Sequence, residues 1–163
     1  MAVSTTVKTR RDGTISIMDS GATNTYVVAY EGAGDFAFDN GSESAERVVI
    51  MDRGAIVGLR KGNDQVGTIS FSVNMLEFTN ATADNLLGVL DNEVSWTSTG
   101  GTGFEQFLFT VRLTIEATDH GESADAYAEF SKVKMDWSFS EGDPDTVNIT
   151  GEVYGGITYG GIS

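Results

Sequence analysis

The chain has 163 residues, 40% of them hydrophobic, and a net charge of −14 from 24 acidic and 10 basic side chains. That length suits one domain with a real core, and the composition excludes wholesale disorder. No apolar run reaches the roughly 18 residues of a membrane helix, the lack of cysteine removes disulfides and thiolate chemistry, and the acidic surplus excludes a monomer that holds nucleic acid by neutralising phosphates.

The opening residues, MAVSTTVKTRR, have no apolar h-region, so no secretory signal is expected. Residues 3–18 predict a hairpin, with Asp12-Gly13 supplying the positive backbone angles of a tight turn. Residues 23–30 are a second β-rich run, and 31–44 read as a glycine-rich loop anchored by Phe36 and Phe38. The segment 46–61, ERVVIMDRGAIVGLRK, holds two apolar runs around Asp52-Arg53-Gly54 and four of the ten basic residues, Arg47, Arg53, Arg60 and Lys61. Its glycine spacing matches neither a P-loop nor a dinucleotide fingerprint. It is read as a hairpin or extended loop whose charges meet acidic protein, the alternative being a solvated surface loop.

Residues 66–76 alternate cleanly, with Ile69, Phe71, Val73 and Met75 on one face and Thr68, Ser70, Ser72 and Asn74 on the other. One helix is expected at about 81–90, capped by Thr79 or Thr82, with Asp84 in its first turn and Leu86, Leu87 and Leu90 as its apolar stripe. So short a helix packs on a sheet. After Trp96 and a glycine-rich stretch, Phe107, Phe109, Val111, Leu113, Ile115 and Ala117 alternate with Thr110, Arg112, Thr114, Glu116 and Thr118. This predicts a strand of eleven residues, about 36 Å long.

The return strand, 126–140, changes phase: Ala126, Ala128 and Phe130 are apolar at even positions, then Val133, Met135, Trp137 and Phe139 at odd ones. A bulge near Ser131 and Lys132 would shift the phase and bend the ribbon so that it serves two surfaces. A turn around Pro144 leads to a last strand over 146–154, with Val147, Ile149 and Val153 on one face. The closing YGGIT-YGGIS reads as a C-terminal arm, residues 155–163, with Tyr154, Ile157, Tyr159 and Ile162 available to dock, or as a disordered tail.

Few residues point to chemistry. His120, the only histidine, sits in the turn Asp119-His-Gly-Glu122 with no nucleophile elbow or oxyanion loop near it, and reads as solvent-exposed. Zinc would be left with carboxylates. Glu141, Asp143 and Asp145 in one turn and Asp119, Glu122 and Asp125 in another invite calcium, but neither has the full calcium-loop pattern. No aromatic platform accompanies any carboxylate pair. The expectation is a protein that is not an enzyme, with no catalytic residue, metal ligand or cofactor. Asn80-Ala-Thr82 and Asn148-Ile-Thr150 match glycosylation acceptors and are read as chance.

The charges are unevenly spread. Residues 1–61 carry seven basic and eight acidic side chains, whereas 62–163 carry three and sixteen. One part of the chain could attract another part of a neighbouring copy, favouring head-to-tail assembly; the plainer alternative is that acid keeps a β protein soluble. The small polar faces, Thr68 to Asn74 and Thr146, Asn148, Thr150 and Glu152, are either the wetted side of a sheet or the wall of a wide aqueous channel built from several copies.

Five stretches carry a resemblance: TTVKTRRDGTI at 5–15, RGAIVGLRKGNDQ at 53–65, STGGTGFEQFLFT at 98–110, TDHGE at 118–122 and WSFSEGDP at 137–144. They are similar to the major tail tube proteins of long-tailed, siphovirus-type bacteriophages, over nearly the whole chain. The resemblance implies a mainly β fold of two packed antiparallel sheets, a sandwich or partly open barrel, with one short flanking α-helix, in a single domain. It implies hexameric rings whose sheets merge into a barrel, stacked through loops and terminal arms into a tube through which viral DNA passes without specific binding. On it, 46–61 is the loop between rings, Arg47, Arg53, Arg60 and Lys61 face acid on the next ring, and the C-terminal arm brings Tyr154 and Tyr159 to a neighbour. Further partners would be tape-measure, tail terminator and baseplate or tip proteins. The place would be the virion tail, assembled in the bacterial cytoplasm without membrane binding. Arg112 and Glu116, on the polar face of the long strand, are candidates for the lumen or for contacts between copies. The alternative is a non-catalytic β-sandwich carbohydrate-binding module, which Trp96 and Trp137 disfavour by falling in different phases.

Overall fold

The computed structural model describes residues 13–28, 36–41, 46–75, 85–91, 95–116 and 123–162. The strands among them are β1 (Thr14–Met18), β2 (Thr25–Val27), β3 (Ala37–Asp39), β4 (Arg47–Asp52), β5 (Ala55–Lys61), β6 (Gly67–Asn74), β7 (Phe109–Ile115), β8 (Asp125–Ser140), β9 (Thr146–Val153) and β10 (Ile157–Ile162), with one α-helix, α1 (Leu86–Leu90). Eight strands form one antiparallel sheet in the order β2-β1-β7-β8-β9-β6-β3, with β10 also on β8, while β4 and β5 make a separate ribbon. This is the mainly β class expected, with one short helix.

β8 is the spine. Over Asp125–Phe130 it pairs with β7 and β10, and over Val133–Ser140 with β9. Between these parts, Thr110 of β7 faces both Ser131 and Lys132, because Phe109 lies opposite Val133 and Val111 opposite Phe130. This is the expected bulge. Lys132 adopts φ 53°, and the core-facing residues switch from Ala128 and Phe130 to Val133 and Met135. β9 and β10 follow the same edge of β8, joined at residues 154–156, where Tyr154 N–H donates to Lys132 O and Gly155 N–H to Ser131 O. A Cβ on Gly155 would collide with Ser131, so the connection passes the bulge this closely only as glycine.

Bending at the bulge lets two half-sheets share one core. Ile15, Ile17, Val111, Leu113 and Phe130 come from one half, and Ile69, Phe71, Val73, Val147 and Ile149 from the other. Leu86, Val89 and Leu90 of α1 join them, and Trp96 meets Phe109 edge-on at 6.3 Å. Each such side chain contributes about 1.5–3 kcal/mol on burial, so this core rather than surface charge holds the fold. Phe36 acts as the expected anchor, stacked on Phe71 at 5.5 Å.

Asp19 is a buried carboxylate, 3% exposed, between β1 and a 3-10 turn at Ser20–Ala22. It accepts from Asn24 N–H at 2.9 Å, the Asn24 amide at 2.7 Å and Thr97 N–H at 3.4 Å. Burial pushes its carboxyl up, but the hydrogen bonds from Asn24, Thr97 and Thr23 outweigh burial and hold it below the ordinary carboxylate value.

Three sequence expectations are corrected. β7 has seven residues rather than eleven. Before it, Ser98 Oγ closes a loop by accepting from Gly100 and Leu108 N–H at 3.2 and 3.0 Å. The alternation ran on into this loop because Phe107 still packs on Phe109, centroids 4.9 Å apart. The helix cap is Asn85, whose Oδ1 accepts from Gly88 N–H at 2.8 Å, whereas Thr79, Thr82 and Asp84 lie outside the described residues. Finally, most of the expected C-terminal arm, 155–163, is a strand within the chain, Ile157–Ile162 pairing with Phe130–Asp125. Its glycines are what lets it dock: the Tyr127 ring lies over Gly160, where a Cβ would come within 2.6 Å. The first arm of the 3–18 hairpin, residues 29–35 of the early run and loop, and the turn containing Asp119, His120 and Glu122 lie outside the described residues.

Candidate assembly surfaces

Four of the sequence-predicted site residues come together on the β4–β5 ribbon. Arg47 pairs with Lys61 at its base and Arg60 with Val48, while Arg53 sits in the two-residue tip. Arg53 and Gly54 have φ of 48° and 84°, the positive angles of a hairpin turn whose twist matches the strands. Lys61 is bonded locally to Asp64 at 2.6 Å, and Arg47, Arg53 and Arg60 have no ion-pair partner among the described residues. The apolar side chains between them are exposed on both faces of the ribbon, Val49, Met51, Ile56 and Leu59 on one and Val48 and Ile50 on the other.

A second surface is the outer face of the β8–β9–β6 half-sheet. Cross-strand pairing aligns Ser138 with Asn148 and Ser72, and Asp136 with Thr150 and Ser70. Lys134, Asp136 and Glu152 bring the charge, and Lys134 Nζ bonds Asp136 at 2.9 Å. A shallow groove across this face is lined by Thr68, Ser70, Asp136, Thr150 and Glu152. Past Val133 no described strand pairs with the far edge of β8, and β3 covers only Thr68–Ser70 of β6.

Tyr154 and Tyr159 are not brought together. Tyr154 directly follows β9, its hydroxyl donating to Glu152 Oε2 at 2.5 Å and its ring 6.2 Å from Phe104. That hydrogen bond to Glu152 comes first in raising its phenol above the ordinary value, with burial and the charges of Glu152 and Asp136 adding to it. Tyr159 lies opposite Ala128 on β10 and is exposed.

Arg112 belongs to the other half-sheet. Its Nε and Nη2 donate to Glu129 Oε2 at 2.9 and 2.5 Å, and its guanidinium lies 4.9 Å from the Tyr127 ring centroid. Glu116 is half-buried just past β7 and engaged within the chain. Sequence reasoning missed Glu129, Tyr127 and Phe104. The first was legible in principle, since Arg112 and Glu129 are direct cross-strand partners, but only once the register was known.

Neither tryptophan forms an open platform: Trp96 is buried, and Trp137 donates its indole N–H to Asp91 at 2.8 Å. In the turn after β8, Asp145 accepts from Gly142 N–H at 2.8 Å. Among the described residues no three His, Asp or Glu side chains converge as metal ligands.

Among solved structures, the chain is similar to one in the cryo-EM structure of the anti-feeding prophage baseplate, 6-fold symmetrised, with a TM-score of 0.56 and 13% identity over 99% of each chain. The two chains share a fold. At that identity the likeness speaks of architecture alone. No family model matches the sequence, and no curated protein matches it.

Proposed function

We propose that this protein is a non-catalytic structural subunit of a phage tail, whose copies form hexameric rings that stack into a tube for viral DNA. The observation that carries the reading is the small, mostly uncharged polar face of the β8–β9–β6 half-sheet, whose outer edges no described strand covers past Val133 of β8 and past Ser70 of β6. Open edges are normally covered or blunted, because they pair with other chains. Rings made by edge pairing would join these faces into one wall, weakly sticky toward DNA. The net charge of −14 would discourage binding of the polyanion. The full-length likeness to a chain from a six-fold symmetrised baseplate supports the same reading.

On this proposal the lumen is lined by Ser70, Ser72, Asn148 and Thr150 rather than by Arg112 and Glu116, because Arg112 is engaged with Glu129 and Tyr127 on the other half-sheet. The β4–β5 ribbon, with Arg47, Arg53, Arg60 and Lys61, reaches a neighbouring copy. Tape-measure, terminator and baseplate proteins would complete the tail. Negative-stain microscopy of concentrated protein in added salt is the test: rings or tubes are expected, and a monomer under all such conditions refutes the proposal.

A further inference from the structure

With no cysteine in the chain, methionine sulfur is the side-chain group most open to reversible two-electron oxidation. The described methionines differ sharply in access. Met18 and Met135 belong to the interior, 5% and 2% exposed, and Met75 is half-buried against the core. Met51 is 55% exposed. It stands near the tip of the β4–β5 ribbon, opposite Ile56, on the face it shares with Val49 and Leu59, all of them exposed. A lone two-stranded ribbon is marginally stable, and contiguous exposed apolar surface marks a contact with something else. Among the described residues, the sulfur that solvent reaches most freely therefore lies within the apolar surface best placed to be covered on assembly.

We propose that Met51 is a modification site, at which oxidation by a peroxide weakens assembly without unfolding the subunit. A lone pair on the sulfur attacks one oxygen of hydrogen peroxide, so an S–O bond forms and the O–O bond breaks. The second oxygen leaves as water, carrying both protons; sulfur loses two electrons and the peroxide gains them. The sulfoxide carries a polar oxygen where the thioether was apolar. On the free ribbon water solvates that oxygen. In a contact between copies it loses its water, and a buried polar group without a new partner is unfavourable. Met18 and Met135 differ in kind, because their oxidation requires the core to open first and then places the same oxygen inside it. The inference rests on the reading that the ribbon reaches a neighbouring copy, and adds a chemical control over that contact.

The experiment treats the full chain, as dilute subunit, with hydrogen peroxide. The reaction is quenched, each methionine is mapped by mass spectrometry of its peptide, and the protein is then concentrated and pelleted. Met1 lies outside the described residues, and mapping separates it from the rest. Met51 should oxidise at least about tenfold faster than Met18 and Met135. Protein oxidised at Met51 should keep its circular-dichroism melting while its pelleted fraction falls at least about fivefold, and methionine sulfoxide reductases should restore it. Met51→Leu keeps bulk and apolarity and should pellet equally with and without peroxide; Met51→Gln, polar from the start, should pellet poorly untreated. Equal oxidation of Met51 and the interior methionines overturns the proposal and leaves the tube reading standing. So does undiminished pelleting of Met51-oxidised protein, or an equal loss of pelleting in peroxide-treated Met51→Leu. Untreated wild type that stays monomeric overturns both.

Discussion

Replacing Asp19 by Asn tests the buried carboxylate that ties the end of β1 to the segment leading into β7. Asp19 accepts two well-formed bonds from Asn24 and a longer one from Thr97, 78 residues away. An amide keeps one acceptor oxygen but turns a donor toward another donor, losing one charge-assisted bond and leaving a second strained. Such bonds are worth about 1.5–3 kcal/mol each, less where water can reach the freed donor. Asn24 is half-exposed and Thr97 exposed, so the expected cost at neutral pH is about 1–2 kcal/mol. The pH dependence has a definite sign. The carboxyl is held below its ordinary value, so its contribution is complete above the unfolded value of about 3.9 and is lost as pH falls through the folded one. Urea unfolding at a concentration where only monomer sediments should therefore show wild type more stable than Asp19→Asn at pH 7, with the gap closing toward pH 2.5. A gap that stays constant with pH, or is absent at pH 7, refutes the account of Asp19.

Three other measurements address the core and the charged clusters. Gly151→Ala puts a Cβ 2.8 Å from both Ile69 Cγ1 and Val133 Cγ1, and overpacking should cost about 1–3 kcal/mol in urea unfolding. Arg112→Ala should cost no more than about 1 kcal/mol in the same assay, because both partners of the Arg112–Glu129 pair are about a third exposed and solvent screens them; added salt should reduce the difference further. Absorbance titration should find Tyr154 ionising above an ordinary tyrosine, with Glu152→Gln moving it back down, since the hydrogen bond to Glu152 is the leading cause of the shift.

The hairpin shows how far the candidate site could be read in advance. Its turn residues and four cations were legible, because Asp52-Arg53-Gly54 and the charges are local features. That Val49, Met51, Ile56 and Leu59 stay in water was not, because an apolar run reads alike whether a core or another molecule covers it. The groove was half legible. Thr68, Ser70 and Thr150 fell on polar faces by alternation, but bringing Asp136 and Glu152 beside them took the register of β8, β9 and β6.

The sequence by itself determined the period-two strands, the short helix, and the phase change in 126–140 that became the bulge at Ser131 and Lys132. Each of these is a property of neighbouring residues, set by the backbone's alternation and by the side chains along one segment. Only the tertiary structure decided that Arg112 is held by Glu129, that Asp19 reaches Thr97, and that the glycine-rich tail becomes β10 beneath Tyr127. Those depend on which strand edges meet, and pairing between distant segments is fixed by the packing of the whole core, a quantity that no local window of sequence contains.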